Sequence, residues 1–227
     1  IYGSGGITIA TSTISNNSGS GIRTQDHAVP IVTDSIISNN SSRGIYGNGA
    51  GGITIATSTI SNNSGYGIRF YHPRGAVTIT DSTITGNSGT GISFYARSGS
   101  SLTVTNNIIS NNSGDGLYYQ NSSIDYVSSP LPSITYNTIT GNSNDGIRLE
   151  NSHAVATVNY NNLYENSGSY DLYSSVTYQE IDARYNYWGL PTTAIMGIAT
   201  NPKDIPRIHD YHDNVSYSLV NYPAWLS

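Results

Sequence analysis

Apolar positions along this chain recur with a long period. One column runs Ile14, Ile37, Ile60, Ile84, Ile109, Ile139, Leu163 and Trp188, at spacings of 23 to 30 residues. Five residues earlier stand Ile9, Val32, Ile55, Ile79, Val104, Ile134, Val158 and Ala183. A further column, usually after glycine, holds Ile22, Ile45, Ile68, Ile92, Leu117, Ile147 and Leu172. Around each column apolar and polar residues alternate for a few positions, which is a strand period. The polar positions repeat too. Two residues before the first column come Ser12, Ser35, Ser58, Ser82, Asn107, Asn137, Asn161 and Asn186; three after it come Asn17, Asn40, Asn63, Asn87, Asn112, Asn142 and Asn166.

Short strands split by tight turns at this period predict a solenoid. A single coil cannot bury its own apolar face. Stacked coils can, with like residues above like at about 4.8 Å. Isoleucine on isoleucine then builds the core. Asparagine above asparagine lets each amide bond the next while satisfying turn backbone. The glycines at 21, 44, 67, 91, 116 and 146 are expected to supply φ above zero. Eight columns predict an all-β, right-handed parallel β-helix of about eight coils, a rod roughly 35–40 Å long.

The repeat STISNNSGxGI resembles those of right-handed parallel β-helix proteins, the pectin-lyase-like group. The ending is similar to how many secreted bacterial and archaeal proteins of this kind close: Asn186-Tyr187-Trp188-Gly189, then IHDYHDN at 208–214 and VNYPAWL at 220–226. After Gly189 the ladder stops and Pro191, Pro202, Pro206 and Pro223 interrupt it. Residues 1–188 are therefore expected to form the coils and 189–227 a C-terminal cap over the last open edge. Ile1-Tyr2-Gly3 matches Ile45-Tyr46-Gly47, so the first coil is expected to be cut mid-repeat. Something upstream, or end-to-end stacking of a second copy, should cover that edge.

Composition narrows the function classes. Only 10% of residues are charged, the formal net charge is −5, and Lys203 is the sole lysine. A partner held by phosphate neutralisation, such as nucleic acid, is disfavoured. No apolar run is long enough for a membrane-spanning helix. The Ser/Thr/Asn-rich, lysine-poor surface favours an extracellular or cell-surface setting. The absence of cysteine leaves stability to core and backbone pairing.

Candidate chemistry gathers beside the last strand of each repeat. The insert Arg69-Phe70-Tyr71-His72-Pro73-Arg74 concentrates basic residues in a chain that has few. Alternation turns Ile68 and Phe70 inward, Arg69 and Tyr71 outward, and leaves His72 to Arg74 in a loop. Arg69, Tyr71, His72, Tyr95, Arg97, Tyr118, Gln120, Arg148 and Glu150 then line one shallow groove. Tyrosine rings stack on sugar faces, and arginines fork onto carboxylate or sulfate. The resemblance implies polysaccharide binding along such a face; an ordinary solvated sheet face is the plainer alternative. Asp115 and Asp145 precede glycine on neighbouring coils and should stack about 5 Å apart, a repulsive arrangement unless a proton or cation intervenes. Calcium suits such an oxygen-rich pair. The group's pectate lyases combine calcium with an arginine base, and Arg148 is near. Their ligand and arginine motifs do not match here residue by residue, and the polygalacturonase carboxylate motifs are missing.

Two weaker patterns complete the set. His209-Asp210-Tyr211-His212-Asp213 has donors suited to a transition metal. Threonines at 8, 33, 54, 78, 80, 103, 105, 135 and 157 form two partial columns that could match ice, interrupted by Ala10, Ile31, Ala56, Ser133 and Asn159. Three function classes stay open: a non-catalytic glycan-binding or adhesive module, a lyase-like enzyme on an acidic glycan, and a self-associating filament subunit.

Overall fold

In the computed structural model the chain winds into a right-handed parallel β-solenoid; residues 6–121, 132–150, 156–177, 180–198 and 203–223 are described. Coils contribute one strand to each of three parallel sheets, of nine, seven and eight strands among the described residues. Every strand is two to five residues long, because turns close in at both ends.

The apolar columns stack in register. Ile14, Ile37, Ile60, Ile84, Ile109, Ile139 and Leu163 pair successively in the second sheet. Ile9 to Val158 do so in the first, and Ile22 to Leu172 in the third. Apart from half-buried Ile14, these side chains are buried and form one continuous core. Each buried isoleucine contributes about 1.5–3 kcal/mol relative to exposure. Phe70 and Phe94 follow in the third sheet's inner face, and Phe94 stacks on Tyr119 at 5.7 Å. Gly47 has no side chain because the Phe70 ring occupies that space, 2.3 Å from where a Cβ would stand.

The paired asparagines of the NNSG repeat have different jobs. The first, as in Asn16, Asn39, Asn62 and Asn111, turns the chain in the left-handed region, with φ between 54° and 57°. The second forms the ladder. Asn87 Nδ2 donates to Asn112 Oδ1 at 3.0 Å and to Ile60 O at 3.1 Å, while Asn112 Oδ1 also accepts the Asn87 backbone N–H at 3.1 Å. That pattern runs from Asn17 to Asn166. A parallel ladder of serine hydroxyls continues through Asn107, Asn137, Asn161 and Asn186.

Two expectations need correction. The repeated glycine does not adopt positive φ. It is required by close approach: a Cβ on Gly116 would sit 2.6 Å from both Gly146 O and Ile139 Cγ2, and 2.8 Å from Asn142 Nδ2. The coil count is also about seven, not eight. Ala183 and Trp188 occupy their columns and are buried, but the second sheet ends at Asn162–Tyr164 with only an isolated bridge from Asn162 to Tyr187. Gly189, at φ +75°, diverts the chain into the helix Gly189–Met196 instead. Beyond it, Ile208–His209 and Val220–Asn221 add the last strands of the third and first sheets.

Arg207 sits at the end of the asparagine ladder. Asp171 accepts Asn166 Nδ2 at 3.0 Å, and Arg207 grips both oxygens of Asp171 at 3.0 Å. The same guanidinium donates to the carbonyls of Gly168 and Asn166 at 2.8 and 2.6 Å. Among the described residues no helix is long and apolar enough to cross a membrane.

Candidate functional site

The outward columns of the third sheet form a stripe along the rod. Register places Arg23, Tyr46, Arg69, Ser93, Tyr118, Arg148, Tyr173 and His209 in one line. Asn48, Tyr71, Tyr95, Gln120 and Glu150 form the line beside it. Tyr71 and Tyr95 have ring centroids 5.4 Å apart, and Tyr95 lies 5.4 Å from Tyr118 on the other line. The short Ser93 leaves room for that diagonal lean and is itself covered, at 1% exposure. Arg69 lies over the Tyr66 ring at 4.6 Å and over Tyr95 at 5.2 Å. Upstream, Arg43 lies over Tyr46 at 4.5 Å. His72 lies tilted against Tyr71, with ring centroids 4.0 Å apart; burial, then the charge of Arg97, lowers its pKa and favours the neutral ring. Arg97 itself begins the turn closed by Ser100, whose hydroxyl donates to Arg97 O at 2.7 Å.

The stripe changes character at Tyr118. Its hydroxyl lies 2.7 Å from Glu150 Oε2 and 3.0 Å from Gln120 Oε1. Burial, then the bond to Glu150, raises the Tyr118 pKa, so the phenol stays protonated and donates. Arg148 donates through Nε to Glu150 Oε1 at 2.7 Å and through Nη1 to Asp145 Oδ2 at 3.1 Å. Its guanidinium also covers the Tyr173 ring at 4.0 Å. Burial pulls the Arg148 pKa down, but the Glu150 bond and the surrounding negative groups outweigh it and the net direction is upward.

Asp115 and Asp145 are not splayed into solvent; they are 8% and 5% exposed. Asp115 Oδ1 accepts the Asp145 backbone N–H at 3.2 Å, and Asp145 Oδ1 accepts the Tyr170 N–H at 3.0 Å. Each carboxylate thus caps the next coil's turn. Burial first, and Asp145 second, push the Asp115 carboxyl up to about 6. A cleft of about 340 Å³ opens here, lined by Asp115, Asn144, Asp145, Arg148, Gly168, Ser169 and Tyr170. Its fixed cation is the Arg148 guanidinium.

The stripe therefore collects Arg69, Tyr71, His72, Tyr95, Tyr118, Gln120, Arg148 and Glu150, with Arg97 at the adjoining turn. The loop residues at 122–131 and 151–155, and the first-coil residues 1–5, lie outside the described residues. The IHDYHDN segment is committed to its own turn. Asp210 accepts the N–H groups of His212 and Val220, each at 2.9 Å, and Asp213 accepts that of Asp210. His209 stacks on Tyr173 at 4.4 Å with Nδ1 against Ser174 O. Among the described residues no group of three or more His, Cys, Asp or Glu side chains could hold a metal ion. The threonine columns are in register but broken where the sequence breaks them, as at Ile31 between Thr8 and Thr54.

One aromatic row at the turns carries no mark in the repeat. Tyr136, Tyr160 and Tyr185 stack with centroids 5.0 Å apart, at left-handed turn positions where other coils place Thr, Asp or Asn. The period could have located these turns, but nothing in it marks a bulky ring as stackable there.

Comparison with known families agrees with the fold. Residues 1–129 match the family model described as right handed beta helix region. Residues 76–189 match the model described as periplasmic copper-binding protein (NosD). No curated protein and no solved structure matches. With more than half its length matched and three parallel sheets wound into one solenoid, the chain belongs to the right-handed β-helix family.

Proposed function

We propose that this chain is a non-catalytic module of an exported or cell-surface protein that binds a glycan chain along the outer face of its third sheet. The observation that carries this reading is the Tyr71–Tyr95–Tyr118 run at 5.4 Å steps, beside Arg69 and the amide of Gln120. Such rings offer apolar faces to sugar C–H groups, and the flanking donors suit hydroxyls or carboxylates. The face is shallow and elongated, which fits a polymer better than a small molecule. Export is supported by the periplasmic family the second half matches and by the surface composition.

A lyase reading fares worse on the same residues. An arginine base must lose its proton, and Arg148 is held charged between Asp145 and Glu150. Among the described residues the copper in the matched family's description also finds no fitting cluster of donors. Copper favours thiolate, thioether or clustered imidazole. The chain has no cysteine, its one methionine, Met196, is buried, and His209 is engaged by Ser174 O and Tyr173.

The test is a panel of neutral and acidic polysaccharides, assayed for binding by microscale thermophoresis and for unsaturated product by ultraviolet absorbance, with and without calcium. Saturable binding without product is expected. Calcium-dependent unsaturated product would replace this reading with the lyase, and no binding across the panel would refute the glycan-binding face.

A further inference from the structure

Asparagine followed two positions later by serine occurs seven times in the chain, at Asn16, Asn39, Asn40, Asn62, Asn111, Asn121 and Asn214. Asn-x-Ser/Thr is the acceptor pattern for N-linked glycans when it lies on the surface of an exported protein. Burial sorts the seven. Asn40 and Asn121 are 0% and 4% exposed, and Asn40 is a rung of the ladder. The other five are exposed. We propose that two of these, Asn111 and Asn214, are acceptors for N-linked glycans, an inference that rests on the export reading above.

Space separates Asn111 from its counterparts. Asn16, Asn39 and Asn62 turn the same corner, between the second and third sheets, on three successive coils. They stand about 4.8 Å apart, so a glycan on one obstructs the next. Asn111 has glycine on both sides, Gly86 and Gly141. A Cβ on Gly141 would stand 2.7 Å from Asn111 Oδ1, so any larger residue there would crowd the amide. The turn itself does not demand asparagine, because Gly86, Gly141 and Glu165 take the same left-handed conformation on other coils. Asn16 and Asn39 donate Nδ2 to the hydroxyls of Ser15 and Ser38 at 3.3 and 3.4 Å. Among the described residues Asn111 Nδ2 has no such partner. Ser113, two positions on, is exposed and bonded to the ladder only through its backbone N–H, 2.9 Å from Asn87 O.

Asn214 is an occurrence outside the repeat. Asn214-Val215-Ser216 lies on an exposed turn of the cap, with Val215 77% exposed. Asn214 Oδ1 accepts the Ser216 N–H at 3.0 Å, an Asx turn. That bond uses the amide oxygen and leaves the nitrogen, the reacting atom, without a partner among the described residues.

The reaction is a group transfer. The asparagine Nδ2 attacks the anomeric carbon of a lipid-pyrophosphate-linked oligosaccharide. An N–C bond forms, the C–O bond to phosphate breaks, the lipid pyrophosphate leaves and the nitrogen gives up a proton. The exporting cell supplies the donor and the transferase. The chain supplies the amide and the serine hydroxyl that marks it.

The test uses the chain isolated from the cells that make it, with cytoplasmic and exported fractions kept apart. Electron-transfer mass spectrometry of its peptides locates any added sugar mass. Such mass is expected on Asn111 and Asn214 of the exported chain and not on Asn40. Ser113→Ala keeps the Asn111 amide and the backbone bond to Asn87 O, and should remove the mass at Asn111 while Asn214 keeps it; Ser216→Ala should do the reverse. Circular dichroism confirms that both variants are folded. An exported chain with either asparagine unmodified would overturn that site and leave export standing. Mass that survives the serine changes would overturn the enzymatic transfer in favour of a chemical adduct. A chain confined to the cytoplasm would overturn both this proposal and the export reading.

Discussion

Asn112→Ala removes one rung from the middle of the asparagine ladder. The side chain is fully buried; its Oδ1 accepts the Asn87 N–H at 3.1 Å and Asn87 Nδ2 at 3.0 Å, and its Nδ2 donates to Ile84 O and Asn142 Oδ1 at 3.1 and 3.0 Å. The losses are unequal. Asn142 Oδ1 still accepts the Asn112 backbone N–H, and Asn87 Nδ2 keeps Ile60 O. The Asn87 N–H loses its side-chain acceptor inside the core. An orphaned buried donor costs about 1–3 kcal/mol, and each remaining lost bond about 1 kcal/mol. The sum is about 4–6 kcal/mol, a large share of the 5–15 kcal/mol typical of a whole domain. Asn111 is the control. It is the neighbouring residue, exposed at φ +55°, and alanine there should cost only about 1 kcal/mol of left-handed strain. Urea unfolding followed by far-ultraviolet circular dichroism measures both. Because coils couple only to their neighbours, Asn112→Ala should also lower the unfolding slope as the two halves begin to melt separately. A loss no greater than that of Asn111→Ala would refute the ladder as a source of stability.

Other outcomes follow from the same geometry. Gly116→Ala should destabilise by about 1–3 kcal/mol through overpacking, whereas Gly19→Ala, with nothing within 4 Å of the new Cβ, should be nearly neutral in the same assay. Asp115 has its carboxyl raised to about 6 from 3.8, so the folded state holds that proton where the unfolded state has lost it. Stability linked to it is therefore present at low pH and falls as pH rises from about 4 to about 6; relative to Asp115→Asn, the parent should lose about 2–3 kcal/mol across that window. Parallel pH profiles would contradict that assignment. Arg207→Ala leaves the buried Asp171 carboxylate without its cation and should cost about 3 kcal/mol, read as a lowered melting temperature.

The fold was legible because in a solenoid one column of residues is also one column of contacts. Ile14 to Leu163 and Asn17 to Asn166 each name a physical stack. Legibility failed where the period does not encode the cause. The glycine before each Ile22-type position was read as a backbone requirement, yet steric contact with the next coil's carbonyl and isoleucine explains it. Trp188 kept its column after the strand around it had been lost, so counting columns gave one coil too many. At the stripe, alternation placed Arg69, Tyr71 and Glu150 on the correct face. It did not show that Arg148 and Glu150 neutralise each other, since that depends on rotamers and on Tyr118 from the adjacent coil. The helix Gly189–Met196 was invisible, because after Gly189 no repeat remains to read.

The central claim is that the third sheet's outer face holds a glycan chain through its tyrosine row, and calorimetric titration of the parent and of Tyr71→Ala/Tyr95→Ala with the tightest-binding polysaccharide tests it most directly. Both rings are at least partly exposed and outside the core, so the variant should melt within a few degrees of the parent. Each stacked ring contributes on the order of 1 kcal/mol, so the double variant should bind at least tenfold more weakly. Unchanged affinity in the folded double variant would contradict the account.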